Sequence, residues 1–221
     1  MFDGIEVLSG AKPTHSVIWL HGLGADGRDF EPLVPQLVRQ DWPAIRFVFP
    51  HAPVRAVTIN NGMRMRAWYD IRGASIADRE DAEGVRESVA TVERLITREA
   101  EKGIALERIF IAGFSQGGAV ALATTVRRAA PLAGTIALSC YLPLAGVTAT
   151  EIGSDARNVP IFMAHGSHDP VVPQSLGERS REWLVQAEFK VDWHTYPMQH
   201  SLCADEVHDL ATWLTSRLSV A

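Results

Sequence analysis

The chain has little of what would make it disulfide-stapled, membrane-spanning or nucleic-acid-binding. Only two of its 221 residues are cysteines. Cys140 and Cys203 are far apart, and they make neither a disulfide framework nor a closely spaced metal pair. Both are expected to be buried free thiols. No stretch approaches the ~18 apolar residues of a membrane-crossing helix, so no integral membrane segment is expected. Positive charge is also scarce. Its 21 Lys and Arg against 26 Asp and Glu give a formal net charge of −5, with a pI near 5.9. Phosphate backbones need clustered Lys and Arg that release counterions. The densest basic stretch is Arg127-Arg128, expected to be a solvated helix end favoured by the helix dipole. No nucleic-acid partner is expected. Met1-Phe2-Asp3-Gly4-Ile5-Glu6 carries acids where a secretory signal carries bases, and residue 2 is not the Gly that myristoylation requires. A cytoplasmic location is the resulting expectation.

Apolar residues, by contrast, are plentiful. They make up 47% of the chain against 21% charged, and mean hydropathy is close to zero. This is enough to cover both faces of a sheet and leave a soluble surface. At this length one domain over residues 1–221 is expected. Short β-branched or apolar runs alternate with longer stretches of helical period, the pattern of a mostly parallel sheet covered by helices. Strands are expected at 16–20, 46–50, 108–113, 134–140, 160–165 and 191–197, with an outer strand at 4–8. In 79–102, Ala82, Val85, Val89, Val92, Leu95 and Ile96 recur at steps of three or four, so one face of a helix is apolar. Gly103 is placed to cap it. Further helices are expected at 30–39, 116–128, 175–187 and 204–217. The connections 51–78 and 141–159 are too long for simple turns. Both follow strands, so they should overhang the carboxyl edge of the sheet, where ligands bind in open α/β folds.

Gly113-Phe114-Ser115-Gln116-Gly117 follows the strand at 108–113 and opens an alanine-rich helix. That is the setting of a G-x-S-x-G turn, in which a strained backbone lifts the serine toward a substrate. A serine hydroxyl is a weak nucleophile, so a histidine has to take its proton and a carboxylate has to orient that histidine. Asp169 follows the strand at 160–165, and His200 follows the strand at 191–197. Order and strand-end position both fit. His165 and His168 are the strongest rivals for the base, and Asp205 is the fallback acid. His21-Gly22-Leu23-Gly24-Ala25-Asp26-Gly27 follows the first parallel strand and is expected to form the second wall of an oxyanion site. The two donors are the backbone N–H groups of Leu23 and Gln116. This loop lacks both the dinucleotide spacing and the Lys of a phosphate loop. His21 is expected to brace it through a hydrogen bond.

The chain resembles the carboxylesterase and acyl-protein thioesterase family. The resemblance spans nearly the whole sequence through His21-Gly22-Leu23-Gly24, Pro50-His51-Ala52-Pro53, Trp68-Tyr69-Asp70, Gly113 to Gly118, His165 to Pro173 and Met198-Gln199-His200-Ser201. It implies an α/β-hydrolase fold without a large cap domain and no metal or organic cofactor. The implied substrates are small carboxylic esters with short to medium apolar acyl chains, with acyl-thioesters and lysophospholipids as the alternatives. Many relatives pair as homodimers. The chain lacks an amino-terminal cysteine of the kind that carries a lipid in some protein-deacylating relatives.

An apolar acyl groove is expected from Leu23, Ile76, Leu142, Leu144 and Val171, with Trp68 as a further substrate-binding residue in a segment that shapes or braces the site; simple aromatic packing is the alternative for Trp68. Met63, Met65 and Met198 are expected to be core fillers. A histidine base must be neutral, so turnover should fall in acid. A peptidase using the same three residues and a non-catalytic binding module on the same scaffold are the alternatives.

Overall fold

The computed structural model describes residues 2–73 and 80–218. In chain order the elements are β1 (Gly4–Leu8), β2 (His15–Leu20), α1 (Val34–Leu37), β3 (Ile45–Pro50), β4 (Val54–Val57), β5 (Met63–Arg66), α2 (Ala82–Glu101) and β6 (Ile109–Phe114). They continue with α3 (Gln116–Thr125), β7 (Gly134–Leu138), α4 (Ala145–Thr148), β8 (Ile161–Gly166), α5 (Gln174–Gln186), β9 (Val191–Tyr196) and α6 (Ala204–Leu218). Seven strands form a mixed sheet in the order β1-β3-β2-β6-β7-β8-β9. β1 pairs antiparallel with β3 and the other pairings are parallel. This is an α/β-hydrolase fold, with no cap domain among the described residues.

The strand pattern explains the layering. All six residues of β2 are buried, and successive side chains point to opposite faces. Val17 and Trp19 pack with Leu37 of α1 and Leu210 and Leu214 of α6. Ile18 and Leu20 pack with Val85 and Val92 of α2 and Val120 of α3. β6 repeats the division, with Phe110 and Ala112 on the α6 side and Ile109 and Ile111 on the α2 side. A third cluster joins Leu122, Met163 and Leu184 of α3, β8 and α5. Helices therefore cover both faces.

The expected strands and the four longer helices are present within a few residues. α2 starts at an Asp81 cap whose side chain accepts from the Gly84 N–H, and Gly103 follows it with φ +91°, as a helix-ending glycine does. The expected helix at 30–39 is corrected to a 3-10 helix over Gly27–Leu33 followed by the single turn of α1. Pro32 and Pro35 lack the N–H donors a continuous helix would need. The connection at 51–78 is not plain loop, because β4 and β5 form a hairpin with Val54 opposite Arg66 and Val57 opposite Met63. Asn61 and Gly62 turn it with φ of 55° and 74°, the conformations that favour an Asn-Gly pair. Arg127 and Arg128 are not a solvated helix end. Arg127 Nε donates to Glu151 at 2.8 Å, and Arg128, 7% exposed, is bonded to Glu93. Of the two free cysteines, Cys140 is buried and Cys203 only half-buried.

Candidate active site

Ser115 stands between the last residue of β6 and the first of α3, with φ 56° and ψ −122°. A side chain holds that conformation only when its surroundings impose it. The Ser115 N–H donates to the Leu138 carbonyl at 2.8 Å. A Cβ at Gly113 would lie 2.3 Å from the Gly117 carbonyl, and one at Gly117 would lie 2.2 Å from the Leu20 carbonyl oxygen. Only glycine at both positions lets α3 turn back against β6 and abut the end of β2. The serine hydroxyl is thereby lifted above the carboxyl edge of the sheet.

Two further loops at that edge bring His200 and Asp169 to the serine. The Ser115 hydroxyl and His200 Nε2 are 2.9 Å apart, and His200 Nδ1 and Asp169 Oδ2 are 2.6 Å apart. In the tautomer that joins all three, Nδ1–H donates to the carboxylate and Nε2 accepts from the serine. The other Asp169 oxygen accepts from the N–H groups of Val171 at 2.8 Å and Val172 at 2.9 Å. The carboxylate therefore cannot swing away without breaking two backbone bonds. The Phe114 ring lies 4.7 Å from the His200 imidazole, centroid to centroid, and supports it from the sheet side.

The rivals are placed elsewhere. His165 is fully buried, and its Nε2 donates to the Val172 carbonyl at 2.8 Å. Desolvation lowers its pKa, so it stays neutral. It secures the Asp169 loop and makes no bond to Ser115. His168 pairs with the neighbouring Ser167 on the exposed side, and Asp205 is exposed in the first turn of α6.

Gly22 lies against Ser115, and a Cβ there would make an ordinary 3.5 Å contact with the serine Cβ. The next residue is Leu23. Among the described residues, neither the Leu23 N–H nor the Gln116 N–H has a hydrogen-bond acceptor. The Gln116 N–H begins α3, where the first amides lack intrahelical partners and the dipole favours negative charge. His21 braces this loop. Its Nε2 accepts from the Ala52 N–H at 2.9 Å, which leaves Nδ1–H to donate to the Gly22 carbonyl at 2.7 Å. Burial lowers its pKa, in keeping with a neutral ring.

The residues expected to line a groove do not share one surface. Leu23 is half-buried and packs on the core. Leu142 and Leu144 are 3% and 7% exposed, while Val171 is 49% exposed. Trp68, at 1%, stands behind the wall rather than on it. Ile76 lies outside the described residues. A cavity of about 340 Å³ includes Leu142 but none of the other expected groove residues; Tyr141, Leu176, Arg179 and Trp183 are among the rest of its lining. The wall-forming loop after β7 is tethered from a distance. The Leu142 N–H donates to the Ser180 hydroxyl at 2.8 Å, and the Leu144 N–H to Glu80 at 2.9 Å. Burial raises the Glu80 pKa, with that bond pulling the other way. Neither tether was foreseeable, because each joins residues from distant parts of the chain.

Among the described residues, no group of three or more His, Cys, Asp and Glu side chains is arranged to hold a metal ion. No helix among the described residues is long and apolar enough to cross a membrane.

A family model described as phospholipase/carboxylesterase matches residues 3–218. Acyl-protein thioesterase 1 of Neurospora crassa is 41% identical over 217 residues, covering 94% of this chain and 89% of that protein. The fold is similar to the crystal structure of Zea mays acyl-protein thioesterase 2, with TM-score 0.85 and 29% identity, covering 98% of this chain and 100% of that one. It is also similar to that of Arabidopsis thaliana SOBER1, with TM-score 0.87 and 31% identity, covering 93% and 99%.

Proposed function

The chain belongs to the phospholipase/carboxylesterase family of serine hydrolases, and from that premise we propose that it is a carboxylesterase working through an acyl-serine intermediate on Ser115. The observation that carries this reading is the unbroken hydrogen-bond chain from the Ser115 hydroxyl through His200 to Asp169. His200 takes the serine proton as Oγ attacks the ester carbonyl, and Asp169 stabilises the resulting imidazolium. The Leu23 and Gln116 N–H groups receive the oxyanion. One such donor is typically worth about 3 to 4 kcal/mol of barrier. His200 then gives the proton to the leaving alkoxide, and the acyl group remains on Ser115. Water, activated by the same imidazole, releases the acid. Apart from the ester and that water, every group used in these steps belongs to the chain.

The proposed substrates are small esters with short to medium apolar acyl chains. The proposal further has residues 1–221 working as one hydrolase domain in the cytoplasm and pairing as a homodimer. The test is hydrolysis of p-nitrophenyl acetate, butyrate, octanoate and palmitate by the wild type and Ser115→Ala. Turnover is expected to be highest below palmitate and to fall by several orders of magnitude in the variant. Undiminished turnover in Ser115→Ala would sink the reading.

A second reading is favoured by the names of the relatives, which are acyl-protein thioesterases at 36% to 41% identity. Attack by Ser115 serves a thioester equally well, with thiolate leaving in place of alkoxide. A kcat/KM on an S-acylated peptide well above that on the matching oxyester would select this reading.

A further inference from the structure

Near the nucleophile, one buried residue outside the Ser115–His200–Asp169 chain bonds to both walls of the oxyanion site. The Trp68 indole N–H donates to the His21 carbonyl at 2.9 Å, and its backbone N–H donates to Oε1 of Gln116 at 2.8 Å. Gln116 answers with a second bond, from Nε2 to the Tyr69 carbonyl at 2.7 Å. The side-chain amide thus pairs with residues 68 and 69 much as a neighbouring strand would. The Trp68 carbonyl accepts from the Ser88 hydroxyl, which ties the segment to α2. The His21 ring lies 5.3 Å from the indole.

His21 opens the loop that carries the Leu23 N–H, and Gln116 supplies the other N–H itself. We propose that Trp68 is a positioning residue of the oxyanion site, a buried strut that fixes the separation of the two backbone donors. This rests on reading Leu23 and Gln116 as those donors. At 1% exposure Trp68 touches no substrate, so it acts only through where it holds the two walls. Phenylalanine would fill most of the same space but has no N–H to reach the His21 carbonyl.

Donors aimed at the oxyanion stabilise charge that exists only in the transition state. Loosening the strut should therefore lower kcat and leave KM nearly unchanged. A merely structural tryptophan would lower thermal stability while each folded molecule kept its kcat. The experiment uses the full chain with p-nitrophenyl butyrate and counts active sites by labelling with a fluorophosphonate to completion. Affinity for an alkyl trifluoromethyl ketone, which binds as an oxyanion, is measured in parallel. For Trp68→Phe, kcat per labelled site is expected to fall by about tenfold to a hundredfold with KM within about twofold, and inhibitor affinity to weaken by a similar factor. Gln116→Met cuts the other end of the strut and keeps the Gln116 backbone N–H. It should show the same pattern and carries the test if Trp68→Phe does not fold. The double variant should be little worse than the poorer single one, because both act through one strut. Wild-type kcat per site in either variant, or a rise in KM alone, would overturn the strut and leave the acyl-serine reading standing. A wild type not labelled at Ser115 would overturn both.

Discussion

His200 and Asp169 approach Ser115 on the loops after β9 and β8, and they are joined to it side chain to side chain. The proposed oxyanion site rests instead on the backbone N–H groups of residues 23 and 116, whose segments are bonded to Trp68 and His21 and packed closely at the glycines at 113 and 117. The first half carries its chemistry on side chains that can be deleted one at a time. The second depends on where the backbone lies, and its supports touch no reactant. The difference predicts how each half fails: loss of chemistry in an intact fold on one side, misplacement and lost stability on the other.

The largest effect should come from the side-chain half. Removing the nucleophile with Ser115→Ala should lower kcat by at least about 10⁴-fold with little change in melting temperature, measured by ester hydrolysis and calorimetry. Asp169→Asn keeps the size of the side chain but gives up the charge that orients and stabilises His200. A fall in kcat of about 10³ to 10⁴ is expected. A fall smaller than tenfold would mean that the two backbone bonds to Asp169, rather than its bond to His200, are what the site needs from it.

The backbone half should respond in stability. Gly117→Ala forces a methyl to within 2.2 Å of the Leu20 carbonyl oxygen, so α3 must move off the end of β2. The expected loss is about 3 kcal/mol in denaturant unfolding, with kcat falling as well. Unchanged stability would show that this contact relaxes freely.

The smallest effect probes a buried carboxyl in α6, the helix that follows the His200 loop. Burial pushes the carboxyl of Glu206, in the first turn of α6, up to about 8, against a partial offset from the Cys203 backbone N–H. In the unfolded chain a glutamate titrates near 4.3. Between these values the folded state holds a proton that the unfolded state releases. Stability from this group is complete below about pH 4, declines as pH rises toward 8, and is level above that. Glu206→Gln should flatten the fall in melting temperature between pH 5 and 8 by the equivalent of roughly 1 to 3 kcal/mol. An unchanged slope would place the pH dependence elsewhere.

The same contrast marks how much was legible in the sequence. Ser115 was marked by its G-x-S-x-G turn, and Asp169 and His200 by following strands in the order that this chemistry requires, although the strand before His200, Val191–Tyr196, is only partly apolar. The His21 brace could be anticipated because a histidine beside a glycine-rich turn has few other partners. The groove could not be. Leu142 and Leu144 take their positions from Ser180 and Glu80, 38 and 64 residues away, and no local pattern reports such tethers. The β4–β5 hairpin had two local signals, Asn61-Gly62 and the alternating Met63-Arg64-Met65-Arg66, but with four residues in each strand the alternation is at the short limit of what a periodic pattern can report. Trp68 was recognisable as aromatic packing. That its indole N–H reaches the His21 carbonyl is a fact of tertiary structure.

The most direct test is to find the acyl group on the enzyme. Wild-type protein mixed with p-nitrophenyl butyrate is quenched in acid within the first turnovers, digested and mapped by mass spectrometry. A butyryl adduct is expected on Ser115 and not in Ser115→Ala, together with a burst of p-nitrophenol of about one per active site if deacylation is the slower step. An adduct on another residue, or release of product at the full rate by Ser115→Ala, would contradict the acyl-serine mechanism.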